Sequence, residues 1–137
     1  MINIVVVSHG NFGDALIRAA EMIVGPQENV RAVALMPEDS PAGFGERLDA
    51  ALADWAGQDT LLLIDLFGGT PCNVSSRRVL EPNIEVVTGM NMAMLIEAMT
   101  SRDCTPLSEL VVQVTEAGQK AVVNLKPLLC KKPVERG

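Results

Sequence analysis

The chain has 137 residues, enough for one domain that buries its own core without disulfides or metal staples. Seventeen acidic residues against eleven basic ones leave a formal charge of −6, and the basic residues do not cluster, so nucleic acid is not the expected partner. Apolar residues reach 48%, yet no run approaches the ~18 to 20 that span a bilayer; direct membrane insertion is not expected, and the excess is available to a subunit interface.

Strand and helix patterns alternate from the start, which predicts a mostly parallel sheet with crossover helices. Ile2 to Ser8 reads as the first strand, with His9 and Gly10 at its end. Phe12, Ala15, Leu16, Ala19, Met22 and Ile23 recur at helical spacing until Gly25-Pro26 stops the helix. Val30 to Leu35 is the second strand. After Pro37-Glu38-Asp39-Ser40-Pro41, a second helix carries Phe44, Leu48, Ala51, Leu52 and Trp55 on one face up to Gly57.

Thr60 to Leu66 is a nearly continuous apolar run, as a strand covered on both faces requires, with one charge, Asp65, at its end. The next loop, Phe67-Gly68-Gly69-Thr70-Pro71-Cys72-Asn73, opens a helix. There Thr70 is expected as N-cap and Pro71 at the first helical position. Ile84 to Thr88 is the fourth strand, and a further helix starts near Asn91 with Leu95 and Met99 inward. Pro106 starts a last helix that carries Leu110, Val111 and Val114 and weakens around Gly118. Beyond it, Val122-Val123 and Leu125 read as a short strand or as final helical turns, with the strand favoured. The domain is expected over 1–130, and 131–137 reads as a flexible tail.

The N-terminus shows no basic segment, h-region or cleavage site, and the three cysteines, Cys72, Cys104 and Cys130, have neither paired nor metal-type spacing. A cytoplasmic location with reduced thiols is the expectation. Arg77-Arg78 and Lys131-Lys132 read as solvated surface.

In an open parallel sheet, ligands bind beyond the carboxyl ends of the strands where strand order reverses. In a flavodoxin-like order 2-1-3-4 that point lies between strands one and three, which brings His9 and Asp65 across one crevice. A lone histidine is often structural, and an aspartate at a strand end often caps a helix or pairs with an arginine. Together and facing Gly68, Gly69 and Thr70, they read as a phosphoryl site. Neutral imidazole can attack through one nitrogen while the other donates to a carboxylate that fixes the tautomer and faces the charge formed. The glycines permit close approach of backbone amides to an anion.

No cofactor or metal is expected. One histidine and scattered cysteines do not make a metal centre, no Gly-Lys-Ser/Thr makes a P-loop, and no Gly-x-Ser-x-Gly elbow is present. Aromatic residues are 3% with no tyrosine, too few for flavin walls or base stacking. Cys72, near a helix start, reads as an inert, at least partly buried thiol.

His9-Gly10, Asp65-x-x-Gly68-Gly69-Thr70-Pro71-x-Asn73 and Gly89-x-Asn91-x-x-Met94-Leu95, in this order, resemble the mannose-type IIA component of the bacterial phosphoenolpyruvate-dependent sugar phosphotransferase system. The resemblance covers residues 1 to about 130. It implies a flavodoxin-like homodimer in which a C-terminal strand is exchanged between subunits. His9 would take a phosphoryl group from the phosphocarrier HPr and pass it to a IIB component. By position, Asp65 would hold the other ring nitrogen, and Thr70 with the amides near Gly68 and Gly69 would contact the phosphoryl group. The family often has serine where Thr70 stands and proline where Ala93 stands; threonine keeps the hydroxyl, and Ala93 bears only on the helix start.

Two roles follow from the resemblance: a relay subunit for sugar uptake, and a free-standing regulator whose His9 phosphorylation state controls another protein. A receiver-type domain phosphorylated on Asp65 lacks its acidic pair after strand one, where Ser8-His9 stands. The sugar itself is selected elsewhere in such systems.

Overall fold

The structure is a computed structural model that describes residues 1–130; the tail expected over 131–137 lies outside the described residues. Four strands, β1 (Asn3–His9), β2 (Val30–Leu35), β3 (Thr60–Ile64) and β4 (Ile84–Val87), form one parallel sheet in the order β2-β1-β3-β4. Between and after them lie α1 (Phe12–Val24), α2 (Pro41–Ala53), α3 (Gly69–Ser75), α4 (Met92–Ser101), α5 (Leu107–Lys120) and α6 (Leu125–Leu129). The expected fold class and order are therefore met. Among the described residues no helix is long and apolar enough to cross a membrane.

Strand period and helix period together divide the core into two layers. Side chains alternate across a strand, so Ile4, Val6, Leu61 and Leu63 pack with Ile17 of α1, Leu95 of α4 and Leu110 of α5. Val5, Val7, Leu62 and Ile64 face the other way, onto Phe44 and Leu48 of α2 and Val74 of α3. Burial on both faces explains why β1 and β3 read as unbroken apolar runs. The chain leaves β1 for β2 on one side and reaches β3 on the other, so strand order reverses at the carboxyl ends of β1 and β3.

The ends of the elements follow local chemistry. Gly25 ends α1 at φ 88°, its N–H donating to Glu21 O at 2.8 Å. Ser40 caps α2 by accepting from Gly43 N, with Pro41 at the first position. Asn91 caps α4 by accepting from Met94 N at 3.0 Å, so the helix start holds with Ala93 inside its first turn.

Three expectations are corrected. Helix α5 does not weaken at Gly118 but runs through it to Lys120, because a Cβ built there would stand 2.5 Å from Cγ and Sδ of Met94; glycine lets α5 close onto α4. The favoured C-terminal strand is not formed in the single chain: Val122 to Asn124 have no regular structure and Leu125–Leu129 is helical, since no strand among the described residues lies alongside to pair with. Arg78 is not solvated surface but sits between Asp49 and Glu81, only 23% exposed. Arg102, 3% exposed, had no sequence signal at all. It donates to the carbonyls of Ile2, Glu28 and Asn29 and to Gln27, pinning the amino end of the sheet.

Candidate functional site

His9 is the last residue of β1, in register with Leu35 of β2. Gly10 then leaves the strand at φ 54°, a left-handed conformation that favours glycine, with its N–H on Leu35 O at 2.8 Å. On the other side of β1, Asp65 N donates to Val7 O at 3.0 Å, which prolongs the ladder one residue past β3. That bond sets Asp65 beside the end of β1. Residues 56 apart in the chain thus meet at the reversal of strand order.

One carboxylate oxygen holds the histidine twice. Oδ2 of Asp65 accepts from the peptide N–H of His9 at 2.8 Å and lies 2.8 Å from Nδ1 of the same residue. An ionised carboxylate only accepts, so Nδ1 carries the proton and Nε2 presents its lone pair. The Asp65 side chain is 12% exposed while the imidazole is 50% exposed, so the carboxylate is sheltered and the ring is open. Oδ1 of Asp65 is buried and finds no donor among the described residues.

The glycine loop stands on the Nε2 side. Gly69, at φ 81°, would place a Cβ 3.6 Å from both Cε1 and Nε2 of His9. Gly68, at φ 92°, occupies the cap position of α3 and supplies no side-chain bond. Thr70 is therefore not the N-cap expected from the sequence: it is the second residue of α3, half-buried, with Pro71 buried after it. The two left-handed glycines turn the chain into the helix earlier than a capping threonine would.

Four other features complete the picture. Cys72 is half-buried and packs against the layer of α2 and α3, which meets the expected partial burial. Asn91 is bonded to Met94 N and Gly118 O, so the third motif holds α4 and α5 in place. Ser8, buried beneath the turn after His9, bonds to both Gly10 and Gly13, a role that no sequence pattern announced. Phe67, on the loop of Asp65, is 83% exposed, and Leu66 and Phe12 are exposed as well.

Residues 3–115 match the family described as "PTS system fructose IIA component". The chain is 37% identical over 138 residues to the mannose-specific EIIAB component of Escherichia coli, an alignment covering 98% of this chain and 42% of that protein. It thus spans well under half the length of these EIIAB relatives. It is 31% identical over 123 residues to the sorbose-specific EIIA component of Lacticaseibacillus casei, with 89% of each chain covered. The crystal structure of the phosphotransferase component EIIA from Streptococcus agalactiae matches with a TM-score of 0.85 at 35% identity, covering 92% of this chain and 98% of that one.

Proposed function

This chain belongs to the mannose-type IIA family of the bacterial sugar phosphotransferase system, and on that premise we propose that it is a cytoplasmic phosphohistidine carrier, taking a phosphoryl group from phospho-HPr on His9 and passing it to a IIB component for coupled sugar uptake and phosphorylation. The observation that carries the reading is Oδ2 of Asp65 at 2.8 Å from Nδ1 of His9, with Nε2 left open.

The chemistry follows from that arrangement. The lone pair of Nε2 attacks phosphorus, the bond from phosphorus to the donor's leaving atom breaks with its electron pair, and Nδ1 keeps its proton. The ring becomes cationic as the Nε2–P bond forms. The sheltered carboxylate of Asp65 faces that charge and holds the tautomer, as the aspartate does in a histidine-based triad. On transfer to IIB the Nε2–P bond breaks, its pair returns to the ring, and the starting state is restored.

Gly68, Gly69 and Thr70 are the phosphoryl contacts in this reading, the missing side chain at Gly69 leaving room beside Nε2. A half-exposed imidazole suits a donor and acceptor that are themselves proteins. The exposed Phe12, Leu66 and Phe67 offer such partners an apolar surface on the same loops. The carrier acts as a homodimer through its C-terminal segment.

Incubation with phosphoenolpyruvate, enzyme I and HPr, followed by mass spectrometry, tests the reading. One phosphoryl group is expected on His9, acid-labile and base-stable. Undiminished label in His9→Ala overturns it.

A further inference from the structure

We propose that Ser8 is a positioning residue for His9, its buried hydroxyl locking the turn that presents the imidazole. Helix α1 begins at Phe12 without a side-chain bond from Asn11, its cap residue. A residue outside the helix takes that place. The N–H of Gly13 donates to Oγ of Ser8 at 2.9 Å, and the Ser8 hydroxyl donates onward to the carbonyl of Gly10 at 3.2 Å. One hydroxyl, 1% exposed, therefore ties the strand end, the glycine turn and the first turn of α1 together, with His9 enclosed in the loop.

The approach is close and depends on glycine. A Cβ at Gly13 would stand 2.8 Å from Cγ1 of Val6 and 3.1 Å from Oγ of Ser8, so only glycine brings the helix down onto β1. Asp65 clamps His9 from the other side, at its peptide nitrogen and at Nδ1. Asp65 thus fixes the ring while Ser8 fixes the backbone behind it. Without the hydroxyl, the buried N–H of Gly13 has no acceptor, and a buried unpaired donor is costly. Gly10 at φ 54° is the freest joint nearby, so the turn relieves that cost by lifting from β1 and moving the imidazole with it.

The proposal rests on His9 as the phosphoryl acceptor, so its test needs one readout that does not involve transfer. Ser8→Ala and Ser8→Thr are compared for the rate of transfer from phospho-HPr and for the ¹⁵N shifts of the His9 ring. Ser8→Ala is expected to slow maximal transfer about tenfold or more with KM for phospho-HPr little changed, because a small misplacement of a reacting group has large kinetic effects. Its ring spectrum departs from the Nδ1–H form, and Ser8→Thr, which keeps the hydroxyl, restores both. Wild-type rate and ring spectrum in Ser8→Ala, or equal losses in the two variants, overturn the proposal. In the unmodified chain the Gly13 amide should exchange as slowly as the core of β1; exchange at the rate of an open helix terminus overturns it without requiring any variant to fold. Should His9→Ala still accept the phosphoryl group, the carrier reading fails, while the ring spectra and amide exchange still decide the role of Ser8.

Discussion

Oδ2 of Asp65 lies 2.8 Å from Nδ1 of His9 and 2.8 Å from the peptide nitrogen of the same residue, so a single oxygen holds the ring and the strand end that carries it. Asp65→Asn separates geometry from charge. The amide oxygen still accepts both bonds, so the fold is expected to persist. The charge that would face a phosphorylated ring is lost, and an amide N–H₂ enters the buried position of Oδ1, which has no partner among the described residues. Transfer measured by quench-flow should slow ~100-fold or more. A rate matching the unmodified protein would reduce Asp65 to a structural role.

Neighbouring glycines give a second, internally controlled prediction. Both Gly68 and Gly69 have positive φ, 92° and 81°, so alanine at either strains the backbone and destabilises by about 1 to 3 kcal/mol. Only at Gly69 does the new methyl meet His9, 3.6 Å from Nε2, whereas nothing lies within 4 Å at Gly68. Thermal unfolding should therefore drop in both variants. Phosphorylation per folded molecule should fall much further in Gly69→Ala. Equal phosphorylation in the two would show that the loop does not border the reacting nitrogen.

What could be read from the sequence, and what could not, divides along one physical line. Features carried by a single periodic segment were legible: the apolar runs of β1 and β3, the Gly25 stop of α1, the caps at Ser40 and Asn91. The meeting of His9 with Asp65 was legible too, because strand order alone brings the two carboxyl ends together. Features made by two segments touching were not. Gly118 reads locally as a weak point of the helix, and only the packing of Met94 against it explains why glycine stands there. Arg78 reads as a surface cation and Arg102 carries no signal, yet Asp49 lies 29 residues from Arg78 and the partners of Arg102 lie 73 to 100 residues away. Thr70 fitted the local pattern of a cap, but the backbone freedom of Gly68 and Gly69 placed the helix start before it.

Acid should probe the loop after β2. The Arg47 guanidinium bonded to Asp39, and after it the peptide N–H of Met36, hold the Asp39 carboxyl at about 2 against an ordinary 3.8. A depressed carboxyl binds fewer protons in the folded state, so its contribution is present above pH 3.8 and is lost as pH falls through about 2. Urea unfolding across that window should show the unmodified chain losing stability more steeply than Asp39→Asn. Parallel curves would mean that the Arg47 bond is absent in solution.

Assembly is expected to rest on the end of the chain. Val122, Val123, Leu125, Leu128 and Leu129 are all more than half exposed in the single chain. So much apolar area in so short a segment is unfavourable in water, at ~25 cal/mol per Å² left uncovered. Val112 of α5 adds to it. Strand β4 meanwhile ends the sheet order, and its outer peptide groups have no neighbouring strand among the described residues. An open edge and an unpartnered apolar segment in one chain are complementary when two copies exchange them, which also protects the edge from uncontrolled pairing. The strand preference of Val122-Val123, unmet in the single chain, would then be met against a second copy. Sedimentation equilibrium should find the full chain dimeric and a version ending at Ala121, which keeps α5 whole, monomeric. A monomeric full chain, or a shortened one that dimerises equally well, would exclude this segment as the contact that joins the subunits.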